Sequence, residues 1–343
     1  MVVVLGHADM YLGQFGGDAK KWASFGYLGG HSHAAVIIFF VLSGYVVSYA
    51  NEKKNESGSY GFKAYFLDRW SRIYSVLIVA IALTLAIDYV GRQLSQFYFD
   101  PSFIPQNDFA LRLFSNIFAL QGIQGYRIQL GSNPALWSIG YEFIFYLLYG
   151  LLFFRKQLFH SRWISPSVFA IALAVIGWKM TVYFGVWMMG VLAYRLSYSS
   201  HLAKIKINKR WLLLIIISVN HLLVFDNFFM LSEILQDTIF AGVFAALLTF
   251  EVEQDSKSTQ WKSAVNTYMA DFSYSLYAFH MPLIFFFCSL FFHDSFQYMP
   301  RFLPGVLLTV MCLVMGRFFF VLAESRRKFL RRIGDRLLVR VGL

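Results

Sequence analysis

Asn133–Tyr149 reads NPALWSIGYEFIFYLLY, with Glu142 the one charged side chain in a run long enough to enter a bilayer. An ionisable group at the centre of a membrane helix costs about 2.5–3.5 kcal/mol on insertion scales, so it normally faces a water-filled cavity or a polar partner inside the bundle. Glu142 is therefore a candidate functional group. The alternative is a satisfied structural carboxylate near a helix start, where the helix dipole favours negative charge.

The apolar character of this stretch runs from end to end. Of 343 residues, 58% are hydrophobic and 14% charged, against about 25% charged in an average soluble domain. No long polar block separates the apolar runs. The pattern predicts an all-α polytopic membrane protein with one integral domain, 1–325, and a basic amphipathic tail, 326–343. Cys288 and Cys312 lie in apolar runs without metal-type spacing and read as free buried thiols.

Crossings are expected near 33–50, 73–90, 134–154, 164–178, 180–195, 211–225, 236–252, 273–292 and 303–322. Residues 1–8, MVVVLGHA, fall short of the roughly 20 residues a crossing needs. They read as a truncated first helix, bringing the count to about ten, followed by a Gly-rich polar loop over 9–31. The piece Phe109–Gln121 decides the topology. Taken as re-entrant or interfacial, it leaves 51–72, 155–163, 195–210, 253–271 and the tail on one side, with 22 of the 30 lysines and arginines. Taken as a crossing, it moves two of those basic loops outside, against the positive-inside bias. Both termini are thus expected in the cytoplasm, with the chain in the cell (inner) membrane. The net charge of +11 is then a topology signal and no nucleic-acid footprint. The tail, RRKFLRRIGDRLLVR, is expected to lie on anionic membrane lipids.

Several polar residues stand out. His7 ends an apolar segment two residues before Asp9, as a titrating imidazole with a carboxylate nearby or as an interfacial helix-end histidine. His31 and His33, two residues apart, point to different sides of a helix and have no ligand-spaced partner, so no metal is expected. Ser43 and Gly44 suit close helix approach. Ser43 lacks the GxSxG setting of a nucleophile. Arg69 and Arg72 share one helix face, either as a phosphate grip or as ordinary topology charges. His280, before Met281 and Pro282, is either a hydrogen-bonding clamp or part of a polar site. Arg317 needs an acidic or phosphate partner inside its span, or else snorkels.

LGHA at Leu5–Ala8, FFVLSGY at Phe39–Tyr45, DRWSRIY at Asp68–Tyr74, LWSIGYEF at Leu136–Phe143 and YSLYAFHMP at Tyr274–Pro282 resemble, in order, the motifs of the membrane acyltransferase-3 family. The resemblance covers nearly the whole chain. It implies transfer of an acyl group, most often acetyl, from acyl-coenzyme A to a hydroxyl of a cell-surface polysaccharide or lipid-linked glycan. Acyl-coenzyme A would be the co-substrate, with no metal. Catalysis would fall to His7 and Glu142, coenzyme A binding to Arg69 and Arg72, with Ser43, Trp137, Tyr274 and His280 as further motif residues. Arg317 joins them as an intramembrane cation. The family's arginine upstream of the first-helix histidine is missing, and Asp68 precedes Arg69 where a double arginine is commoner. A stand-alone form without a soluble hydrolase-like domain is expected.

The chemistry is consistent with that resemblance. A sugar hydroxyl needs a base near neutral pH, and imidazole, with a reference pKa of about 6.5, suits the task. Glu142 would orient or charge-stabilise that imidazole, while His7 as a covalent acyl carrier stays open. A proton-coupled transporter of a sugar or lipid-linked intermediate, with Glu142, His7 and His280 as a relay, is the alternative class. Against it stands the lack of a paired repeat with matched broken helices.

Overall fold

The computed structural model describes all residues except 16–30, 57, 59, 127, 160, 162, 200–205, 225–231, 253–259, 292–301 and 341–343. The described residues form helices, joined by turns and one two-residue parallel pairing of Lys206–Ile207 with Glu251–Val252. In chain order the helices are α1 Val2–Phe15, α2 Ser32–Asn55, α3 Phe62–Leu94, α4 Phe109–Ile117, α5 Leu136–Phe153 and α6 Ile164–Ile176. They continue as α7 Trp178–Ser199, α8 Lys209–Val224, α9 Glu233–Leu247, α10 Gln260–Phe291, α11 Phe302–Leu322 and α12 Arg327–Arg340.

Five of these, α2, α3, α5, α10 and α11, are long and apolar enough to cross a membrane, or six if the bent pair α6 and α7 counts as one span. This is fewer than the ten expected from hydropathy. The reason is length: α1 has 14 residues, α8 16 and α9 15, short of the roughly 20 of a full crossing. Between α6 and α7 the axis turns by 119°. Gly177 supplies the left-handed φ of +85° there, and Gln124 donates to the freed carbonyls of Ala174 and Val175 at 3.0 and 2.7 Å.

The expected loop from residue 9 begins later. Ala8, Tyr11, Leu12 and Phe15 are buried at helical spacing and carry α1 on to Phe15. The rest of that loop, 16–30, lies outside the described residues. The piece at Phe109 forms the nine-residue α4, too short to cross. Its Leu111, Phe114 and Ile117 face outward while Ser115 and Asn116 are buried, the arrangement of an interfacial helix.

Small residues bring α2 against α7. A Cβ on Gly190 would stand 1.9 Å from the Val41 carbonyl oxygen, and one on Gly44 2.1 Å from that of Trp187. Gly190→Ala should therefore lower thermal stability in detergent, because a backbone carbonyl cannot yield and overpacking costs about 1–3 kcal/mol. Gly185→Ala, on the same helix with open space around it, should be neutral or stabilising by up to about 1 kcal/mol. Equal melting shifts would show that close approach is not what these glycines provide.

The second tie runs through Pro282 inside α10. Proline has no N–H for the carbonyl four residues back, and Asn133 fills the gap, its Nδ2 donating to Ala278 O at 3.0 Å and to Thr84 Oγ1 at 3.1 Å. Asp88 of α3 meanwhile accepts from Ser132 N at 3.0 Å. The turn that launches α5 is thus pinned to both α3 and α10.

The tail helix departs from a purely lipid-bound segment. Gly334 packs against Leu67 and Trp70 of α3, and Arg331 Nε lies 2.6 Å from Asp68 Oδ1. Phe329 and Leu337, with half-buried Ile333 between them at four-residue spacing, face away from that contact.

Candidate active site

His7 of α1 and His280 of α10 meet ring against ring, 5.1 Å between centroids and 12° between planes. Their Nδ1 and Nε2 atoms are 2.8 Å apart. The tautomers follow from the next atom along, because His280 Nδ1 lies 2.6 Å from the Tyr277 carbonyl oxygen. A carbonyl only accepts, so His280 Nδ1 carries hydrogen and its Nε2 accepts from His7 Nδ1–H. His7 Nε2 is left with its lone pair. His7 lines a cavity of about 580 Å³ with Asp9, Asn116, Asn133, Trp137 and Glu233 among its walls. The side-chain oxygens of Asn116 and Asn133 are buried without a partner among the described residues. The Trp137 ring stands nearly perpendicular to those of Phe40 and Tyr141, at 6.0 and 5.2 Å between centroids.

Glu142 belongs to a different cluster. Its Oε1 accepts from Ser43 Oγ at 3.1 Å and from the Tyr146 hydroxyl. Its Oε2 is buried with no partner among the described residues, as is the hydroxyl of Tyr274. Both residues line a smaller cavity of about 170 Å³, whose wall includes Tyr277 and so adjoins the histidine cavity. Buried polar atoms without partners are rare in folded proteins and mark places where a ligand or water completes the bonding. Among the described residues no hydrogen bond joins His7 to Glu142, and the orienting contact of the imidazole is with His280.

Arg72 carries the line of polar groups onward. Its guanidinium sits 5.6 Å from the centre of the Tyr274 ring and acts electrostatically on both Glu142 and Glu324. Arg69 stacks on Tyr65 and Tyr146 at 5.7 and 5.5 Å, its Nε buried without a partner among the described residues. Both arginines line a third cavity of about 640 Å³ at the end of the bundle where α2 stops and α3 starts. Lys54, Arg327, Lys328, Arg331 and Arg332 share its wall, with Asp68 the one carboxylate among the described residues. That donor set fits a ligand carrying several phosphates.

The motif residues Ser43, Glu142, Tyr274, Arg69 and Arg72 thus lie along one path, with His7, His280 and Trp137 at its far end. Ser43 does more than allow close packing, since it is a donor to Glu142 while neighbouring Gly44 makes the helix contact. Arg317 stands apart, 4.7 Å from the Tyr268 ring and 4.9 Å from that of Phe320. Among the described residues these aromatic faces, and no acid, are its charge-stabilising neighbours. Sequence reading missed Tyr146, Tyr277 and Asn133. Tyr146 was within reach, because a hydroxyl four residues after a buried carboxylate lies on the same helix face.

A family model described as an acyltransferase domain matches residues 1–317 of the chain. No curated protein and no solved structure matches it.

Proposed function

This chain belongs to the membrane acyltransferase-3 family, and from that premise we propose that it acetylates a glycan from acetyl-coenzyme A. The coarser activity, O-acyl transfer by a multi-pass membrane enzyme, goes with the family. The acceptor we assign is a hydroxyl of a cell-surface polysaccharide or lipid-linked sugar, seated in the histidine cavity. Donor phosphates would occupy the basic cavity. We place the chain in the cell (inner) membrane with its basic loops and both termini cytoplasmic. The basic cavity then opens on the side where coenzyme A is made.

One observation carries this reading. The partnerless Glu142 Oε2 and Tyr274 hydroxyl lie between a histidine with a free basic nitrogen and a cavity walled by arginines. In that arrangement His7 Nε2 takes the proton of the sugar hydroxyl, and the oxygen attacks the thioester carbonyl. The carbon–sulfur bond breaks, and the departing thiolate receives the proton back from His7. Tyr274 offers a donor to the thioester oxygen as its charge grows. The orphan amide oxygens of Asn116 and Asn133 and the Trp137 ring suit the hydroxyls and apolar face of a sugar.

The kinetics of two variants test the donor site. Arg69→Ala and Arg72→Ala should raise the apparent KM for the acyl donor by about tenfold or more, given roughly 1.5–3 kcal/mol per charge-assisted hydrogen bond, and change the acceptor KM far less. Equal effects on both substrates, at normal membrane insertion, would sink the phosphate grip.

A further inference from the structure

The tail helix α12 lies beyond the residues that the family model matches, yet it walls the basic cavity. We infer that α12 is the second half of a phosphate clamp, with Arg327, Lys328 and Arg332 gripping the clustered phosphates of the donor opposite Arg69 and Arg72. This rests on the donor assigned above and extends it to a segment with no assigned role.

Asp68 lines the cavity and is held by Lys54 Nζ at 2.6 Å, the Tyr60 hydroxyl at 3.0 Å and Arg331 Nε at 2.6 Å. The one acid on that wall is therefore already engaged. Arg331 spends its charge as an anchor, and the close fit of Gly334 on Leu67 and Trp70 sets the helix rotation. Arg327, Lys328 and Arg332 then line the cavity with no salt bridge among the described residues, Arg327 also acting electrostatically on Glu324. Like charges gathered round one space repel each other, and an anion between them relieves that repulsion. A volume of about 640 Å³ falls within the roughly 300–1,000 Å³ of small-molecule sites. Coenzyme A brings a pyrophosphate and a 3′-phosphate. Anionic lipid headgroups bring phosphate too, and the outward stripe of Phe329, Ile333 and Leu337 sets the helix at the membrane surface.

The test uses the full chain in nanodiscs, with coenzyme A, dephospho-coenzyme A and adenosine 3′,5′-bisphosphate as probes. The triple variant Arg327→Gln, Lys328→Gln, Arg332→Gln keeps the Arg331 anchor and the Gly334 contact. In phosphatidylcholine discs it should weaken coenzyme A and the bisphosphate at least tenfold, and dephospho-coenzyme A less, at an unchanged melting temperature. Arg332→Glu alone should act in the same direction, which guards against misfolding of the triple variant. Unchanged bisphosphate affinity in the triple variant, where Arg69→Ala weakens it, would overturn the clamp and leave the donor assignment standing. Failure of the wild-type chain to bind coenzyme A at all would overturn the donor assignment and the clamp with it. Loss of bisphosphate binding when phosphatidylglycerol is added to the discs, relieved by the triple variant, would assign the site to lipid phosphate and equally overturn the proposal.

Discussion

His7→Ala should cut acyl transfer by about 10²–10⁴-fold, the range general-base catalysis typically contributes, while the protein remains in the membrane at wild-type level. The expectation rests on a tautomer chain and not on proximity alone. Tyr277 O fixes the proton on His280 Nδ1, His280 Nε2 then fixes the proton on His7 Nδ1, and the lone pair is left on Nε2 of His7, which lines the histidine cavity. His280→Ala removes the acceptor that holds this order and should also be severe. Because both changes act on one proton, the double variant should be little worse than His7→Ala. The measurement is transfer of labelled acetyl from acetyl-coenzyme A to purified glycan in membranes matched for protein level. Wild-type rates in His7→Ala would remove it from the mechanism, and fully multiplied losses would place His280 elsewhere.

Much of this site is legible in one dimension, for a physical reason. Membrane helices tolerate few ionisable groups, so each that is present points to a purpose, and Glu142 and His280 could be picked out on that ground, whereas Arg69 and Arg72 stood out at the end of a basic loop by sharing a helix face. Their partners could not. His7 and His280 are 273 positions apart, and no local periodicity tells that their rings stack. The Asn133 bridge needs both the carbonyl vacated by Pro282 and the helix that presents Thr84, and neither is visible from Asn133 itself. Hydropathy marks apolar stretches but not where helices stop, which is why α1 extends into an expected loop and why the break at Gly177 turns two expected spans into a bent pair. The tail shows a different shortfall. Its charge and amphipathic pattern suit a lipid surface, and only the Asp68 anchor and the Gly334 contact reveal that one face belongs to the protein.

Glu142→Gln is the second change expected to cost most of the activity, and its geometry says how. The side chain is 1% exposed, and the amide oxygen that replaces Oε1 still accepts from Ser43 and Tyr146. Folding should therefore survive, with Arg72 retaining Glu324 as a counter-charge. What changes is the free Oε2, which becomes an N–H₂ donor in the small cavity, together with the negative charge that Arg72 and Tyr274 adjoin. Losing a charged hydrogen-bond partner at a reacting centre is worth about 1.5–3 kcal/mol, so a loss of kcat/KM for the donor of at least tenfold is expected. Tyr146→Phe, which removes one of two donors to the carboxylate, should cost less. Glu142→Gln and Arg72→Gln should couple strongly, because the two side chains act on each other electrostatically. The effects of Glu142→Gln and His280→Ala should instead multiply, since no hydrogen bond joins the two clusters among the described residues. Wild-type transfer by Glu142→Gln would return the carboxylate to a structural role. Coupling to His280 as strong as to Arg72 would instead show that Glu142 shares the histidines' proton, through a closure that brings the two clusters together.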